Sequence, residues 1–113
     1  MTEDVQPSGS PTIMVGMPAY NEELRVGTTV SEVKPYADVV VVVDDGSKDK
    51  TVEVAESAGA MVIRHKVNRG YGGALRTIFR TAKKYKPDIL VIIDSDGQHD
   101  PADVPRFIEK IED

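Results

Sequence analysis

The chain has 113 residues, 40% of them hydrophobic and 29% charged, a formal net charge of −5 and no cysteine. It is therefore one small domain, long enough to bury roughly two-thirds of the surface its unfolded form exposes. Disulfides, thiolate catalysis and zinc–thiolate sites are excluded, and the acidic balance argues against a dedicated nucleic-acid binder.

Residues 1–11 are polar and rich in Ser, Pro and Gly, without a basic flank leading into an apolar stretch, so a disordered tail is expected there and not a signal peptide. The first strand is expected over Thr12 to Met17, ended by Pro18. Val26, Val30 and Val33 then recur at helical spacing until Pro35. Asp38 to Val43 reads as a second strand of almost pure valine. Val52, Ala55 and Ala58 give a short helix that Gly59 is placed to end. Met61 to Ile63 is a short third strand. Leu75, Ile78, Phe79 and Ala82 follow the spacing of an amphipathic helix. Ile89 to Ile93 reads as a fourth strand, buried on both faces. A last helix starts at Asp100 as N-cap with Pro101 at its first position, and Val104, Phe107, Ile108 and Ile111 form its apolar face. No apolar run approaches a membrane span. The expected setting is the cytoplasm, with peripheral contact at the inner face of the membrane left open.

Strands alternating with helices imply βαβ units, a parallel sheet and helices on both faces. In such sheets the ligand lies beyond the carboxyl ends of the strands. Here those ends lead into Pro18-Ala19-Tyr20-Asn21-Glu22-Glu23, Asp44-Asp45-Gly46-Ser47, Asn68-Arg69-Gly70-Tyr71-Gly72-Gly73 and Asp94-Ser95-Asp96-Gly97-Gln98. All four are polar or glycine-rich, so one edge of the sheet gathers the chemistry.

Asp94 and Asp96 offer hard oxygen ligands, which suit Mg²⁺ or Mn²⁺ over zinc, and Gln98 can add a neutral oxygen. A turn alone accounts for Asp and Gly after a strand, but not for a paired carboxylate beside a second acidic strand end. At that second end Asp45 can accept hydrogen bonds from a base N–H or a ribose hydroxyl, while Ser47 and Asp49 are equally explained as caps of the next helix; Asp45 is not needed for that cap. The glycine-rich Asn68–Gly73 loop can bring backbone N–H groups to phosphate or be merely flexible. It is neither a Walker A sequence nor the dinucleotide fingerprint. Eight of the chain's fourteen Lys and Arg residues fall between Arg64 and Lys86, with no acid among them. Arg76, Arg80 and Lys83 or Lys84 on one helix face read as a solvated face, or as attraction to anionic lipid or a diphosphate. His65 and His99 read as structural residues, His99 with slightly more interest for its position.

Taken in order, the four motifs resemble the inverting family 2 glycosyltransferases with the GT-A fold, nearest the dolichyl- or polyprenyl-phosphate mannosyl- or glucosyltransferase branch. The similarity runs over residues 12–113. It implies a three-layer, Rossmann-like nucleotide-binding half with a mainly parallel four-stranded sheet. It implies Pro18, Ala19, Tyr20, Glu22 and Asp45 as nucleotide contacts, with Asp44 beside them. Asn68, Gly70 and Gly73 would run beside the ribose and phosphates, with Ser95 at the Asp-x-Asp turn. It implies Asp94 and Asp96 as the catalytic metal ligands, Gln98 as a third, and Mn²⁺ or Mg²⁺ as cofactor. The donor would be a GDP- or UDP-sugar and the acceptor class polyprenyl phosphate, with no nucleic-acid partner.

The family's domain is about twice this length, and its second half supplies the acceptor site and base. The chain is therefore expected to be a nucleotide-binding portion that does not transfer sugar alone, and to self-associate through its open sheet edge. Two alternatives stand beside this reading. One is a non-catalytic nucleotide-binding or interaction module. The other is a phosphatase of the haloacid dehalogenase type, whose Asp-x-Asp-Gly motif continues with Thr or Ser where Gln98 stands here.

Overall fold

In a computed structural model that describes residues 11–95, the elements run β1 (Ile13–Ala19), α1 (Val26–Val33), β2 (Val39–Asp44), α2 (Thr51–Ser57), β3 (Met61–Arg64), α3 (Gly70–Tyr85) and β4 (Ile89–Ile92). The four strands form one sheet in the order β3-β2-β1-β4, every neighbouring pair parallel. The order reverses between β1 and β4. The chain steps outward from β1 to β3, then α3 carries it back across to the far side of β1. Right-handed crossovers in opposite directions place their helices on opposite faces. Accordingly α1 and α2 pack together, and α3 lies against β1 and β2.

Strand alternation divides the core in two. Val15, Met17, Ala19, Val40, Val42, Ile89, Val91 and Ile93 meet Val26, Val30, Val33 and Ala55 on the α1/α2 face. Met14, Val41 and Val43 meet Ala74 and Ile78 on the α3 face. The valine run of β2 is thus explained: a central parallel strand is covered on both sides and needs apolar residues at every position. Near the start of the strands, Asp38 and Asp88 clamp β1. The Asp38 carboxylate accepts from the Ile13 N–H at 2.6 Å, and that of Asp88 from the Thr12 N–H at 2.8 Å.

Several expectations are corrected. Pro18 does not end β1, which continues to Ala19. Ala19 accepts from the Asp45 N–H beside β2, whereas Gly16 accepts from the Ile93 N–H on the β4 side. By alternation Pro18 faces the β4 side too, and β4 has already ended in register with Gly16, so its missing N–H leaves no ladder bond unmade. Pro35 sits inside a short 3-10 turn, Lys34–Tyr36, appended to α1. The buried face of α3 is Gly73, Ala74, Thr77, Ile78 and Thr81, while Phe79 is exposed. Small residues let the helix approach β1 so closely that a Cβ on Gly16 would stand 2.5 Å from Ile78 Cγ2. β4 is buried on the α1/α2 face only, with Leu90 and Ile92 half-buried on the other. The expected last helix, from Asp100 to Ile111, lies outside the described residues.

Candidate functional site

The loops beyond β1 and β2 are stitched to each other. Asn21 donates its N–H to Ser47 Oγ at 2.7 Å and accepts from the Lys48 N–H at 2.9 Å. Glu22 donates to Thr51 Oγ1 at 2.8 Å, and Glu23 accepts from the Lys50 N–H at 2.9 Å. Asn21 turns the chain at φ 53, a left-handed conformation that Asn tolerates better than most residues. Asp49 accepts from the N–H and hydroxyl of Thr51 and from the Glu23 N–H. Burial raises its carboxyl pKa, but these bonds outweigh that effect and hold it below the ordinary value. Of the two cap candidates, Asp49 serves the start of α2, and the hydroxyl of Ser47 is taken by the first loop.

The adjacent aspartates face opposite ways. Asp44 is fully buried; its Oδ2 accepts from the Ser47 N–H at 3.0 Å and lies 3.9 Å from Arg64 Nε, while its Oδ1 has no partner among the described residues. Asp45 points toward α3. Its Oδ1 accepts from His65 Nδ1 and from the Arg69 N–H, both at 2.8 Å, and its Oδ2 from the Gly70 N–H at 2.9 Å. Asp45 therefore does carry a helix cap, that of α3 and not α2. Burial pushes its pKa up, but the His65, Arg69 and Gly70 bonds, with the His65 charge, leave it lowered overall. His65 is itself buried, with Nε2 2.8 Å from Thr77 Oγ1. A carboxylate only accepts, so Nδ1 carries the proton; in the neutral ring Nε2 takes the Thr77 hydroxyl hydrogen. Gly70, at φ +81, makes the turn into α3.

These loops enclose a cleft of about 390 Å³ lined by Pro18, Ala19, Tyr20, Glu22, Asp45, Asn68, Gly70, Tyr71, Ala74, Asp94 and Ser95. It lies across the ends of β1, β2 and β4, at the reversal of strand order where open α/β sheets take their ligands. Of the ten residues read as nucleotide contacts, all but Asp44 and Gly73 line it. Asp44 is buried on the α1/α2 side. Gly73 is buried inside α3, where a Cβ would stand 2.6 Å from Arg69 Cβ. Asp94 is exposed on the wall of the cleft, which Tyr71 also lines. Tyr71 is more than half exposed, and partial desolvation foremost, then the neighbouring Asp94 carboxylate, raise its pKa. Asp96 and Gln98 lie outside the described residues, and no group of three acidic, His or Cys side chains that could hold a metal occurs among those described. Asp94 brings a hard carboxylate to the wall of the cleft, an oxygen donor of the kind that suits Mg²⁺ or Mn²⁺. Among the described residues no helix is long and apolar enough to cross a membrane.

Sequence reasoning passed over His65 as a partner of Asp45, and it missed Thr77, Tyr71 and Ala74. Thr77 carried a signal: it stands three residues after Ala74 on a stripe facing the sheet, and a buried hydroxyl needs a partner.

The sequence model of the family described as Glycosyl transferase family 2 matches residues 14–113. An uncharacterized protein of Methanocaldococcus jannaschii is 48% identical over 101 residues, covering 88% of this chain and 41% of its own length. The UDP-N-acetylglucosamine–dolichyl-phosphate N-acetylglucosaminyltransferase of Methanococcus voltae is 33% identical, covering 84% of this chain and 45% of its own. The chain thus spans less than half the length of these relatives. Glucosyl-3-phosphoglycerate synthase of Mycobacterium tuberculosis, crystallised with Mn²⁺, UDP and glucosyl-3-phosphoglycerate, superposes with a TM-score of 0.75 at 32% identity, over 89% of this chain and 39% of that one.

Proposed function

The chain belongs to glycosyl transferase family 2, and from that premise we propose that it forms the nucleotide-diphosphate-sugar site of a transferase, with polyprenyl phosphate as the acceptor class. The observation that carries this reading is the convergence of three strand ends and the first turn of α3 on one cleft. The base sits at Asp45, and the ribose and phosphates run past Asn68 and Gly70. Asp94, with Asp96 and Gln98, would hold the divalent metal. When bound, that ion supplies positive charge that offsets the charge gathering on the departing diphosphate. A polyprenyl phosphate oxygen is already anionic and needs little help from a general base. The polyprenyl-phosphate transferases among the relatives, and the neighbour crystallised with UDP and Mn²⁺, support the donor and acceptor classes.

Calorimetric titration of UDP- and GDP-sugars in Mn²⁺ tests the reading. Binding is expected in at least one series, weakened in Asp94→Ala. A blank in both series would overturn the nucleotide assignment and favour a non-catalytic interaction module.

A further inference from the structure

A carboxylate offers about four lone-pair positions, two on each oxygen. At Asp45 three are taken: His65 Nδ1 and the Arg69 N–H fill Oδ1, and the Gly70 N–H takes one on Oδ2. The two donors on Oδ1 are fixed in place, whereas the Gly70 N–H on Oδ2 is shared with Asn68 Oδ1 at 2.9 Å. Of the three, two are backbone groups at the entry to α3, and the His65 ring is buried and held at its far nitrogen by Thr77. One acceptor position remains, on Oδ2 of a residue that lines the cleft.

The bases differ in what they ask of such a group. Uracil presents a single ring N–H between two carbonyls. Guanine presents a ring N–H beside an amino group, a parallel pair of donors that a carboxylate meets with both oxygens at once. Oδ1 has no position left for the second donor. Resting on the reading of the cleft as a nucleotide site, we propose that it is built for uracil over guanine, and that His65 is the positioning residue that makes it so by closing Oδ1. A donor that cannot be paired in a desolvated site counts heavily against its ligand.

The test titrates the 113-residue chain with UDP and with GDP, each in Mn²⁺. Diphosphate and metal are common to both, so the ratio of Kd values isolates the base. UDP is expected to bind tighter by about tenfold or more. GDP binding as tightly as UDP would overturn the base assignment while leaving the nucleotide reading intact; binding of neither would overturn that reading first. His65→Ala reopens a position on Oδ1 and is expected to cut the ratio by about threefold or more. His65→Asn, which keeps a donor toward Asp45, is expected to restore it. An unchanged ratio in a His65→Ala protein of native circular dichroism refutes the role of His65. Should that variant not fold, His65→Leu, which keeps much of the ring's volume and lacks the donor, reopens the same position on Oδ1, and an unchanged ratio there is equally refuting.

Discussion

Replacing Asp45 by Asn tests whether the carboxylate holds α3 onto the sheet. Asp45 is 5% exposed, so its bonds are scarcely screened. With its carbonyl at the Oδ1 position, Asn keeps the His65 and Arg69 bonds but sets an amino group against the Gly70 N–H; the reverse orientation loses two bonds instead of one. The better orientation thus forfeits one charge-assisted bond, worth at most about 1.5–3 kcal/mol because the Gly70 N–H keeps Asn68 Oδ1 as an acceptor, and reduces two others to neutral strength. The expected loss is about 2–4 kcal/mol, a large share of the ~5–15 kcal/mol that holds a domain together. Urea unfolding at neutral pH measures it as a lower midpoint at unchanged slope.

The acid limb gives an independent check of the same residue. The folded pKa of Asp45 is lowered from the ordinary value of 3.8. Its contribution is therefore fully present above that value and is lost as pH falls through the folded pKa. Asp45→Asn has already lost it at neutral pH, so stability of the variant falls less steeply than that of the wild type below about pH 4. A variant within about 0.5 kcal/mol of wild type at neutral pH, or one with an unaltered acid slope, would refute the assignment of Asp45 as the clamp on α3.

Three further outcomes follow from contacts elsewhere. Gly16→Ala sets a methyl 2.5 Å from Ile78 Cγ2 and should cost about 1–3 kcal/mol; in an Ile78→Leu background, which lacks that methyl, the cost should shrink, and strictly additive unfolding energies would contradict the clash. Asp94→Asn should lower the Tyr71 pKa toward its ordinary value, since the Asp94 carboxylate is among its causes; an ultraviolet difference titration reads this directly, and an unmoved phenol would separate the two side chains. Asn21→Ala removes the bond to the Lys48 N–H and places Ala at φ 53, for a loss of about 1–2 kcal/mol in chemical denaturation; Asn21→Gly, free of the conformational part, should lose less.

What could be read in advance followed from periodicity. β2 announced itself as five consecutive valines, α2 ended at Gly59 as its φ of +103 requires, and the strand ends all fell at one edge of the sheet. Errors arose where distance in space overrode spacing in sequence. Phe79 matched the apolar stripe of α3, yet the helix is rotated toward its small residues, because Gly16 allows an approach that a larger stripe would prevent. Pro18 looked like a terminator because only the neighbouring strand's length reveals that no ladder bond was required of it. Ser47 and Asp49 read as local caps and Asn21 and Glu23 only as polar loop residues; all four join two loops that are some 26 residues apart in sequence, and Asp49 serves the start of α2 as well.

The two aspartates at the end of β2 show where such reading stops. Alternation alone sends them to opposite faces, and that much was available from the sequence. Alternation does not say which face holds the cleft, because that depends on where the strand order reverses, and hence on β4 joining β1 and not β3. Once the order is β3-β2-β1-β4, the residue on the α3 face lies beside the reversal and the other does not. Asp45 then lines the cleft with a lowered pKa and three donors, while Asp44 is sealed under the first loop with one oxygen unpartnered among the described residues. Identical side chains one residue apart thus acquire different surroundings from topology: of the two, only Asp45 lines the cleft.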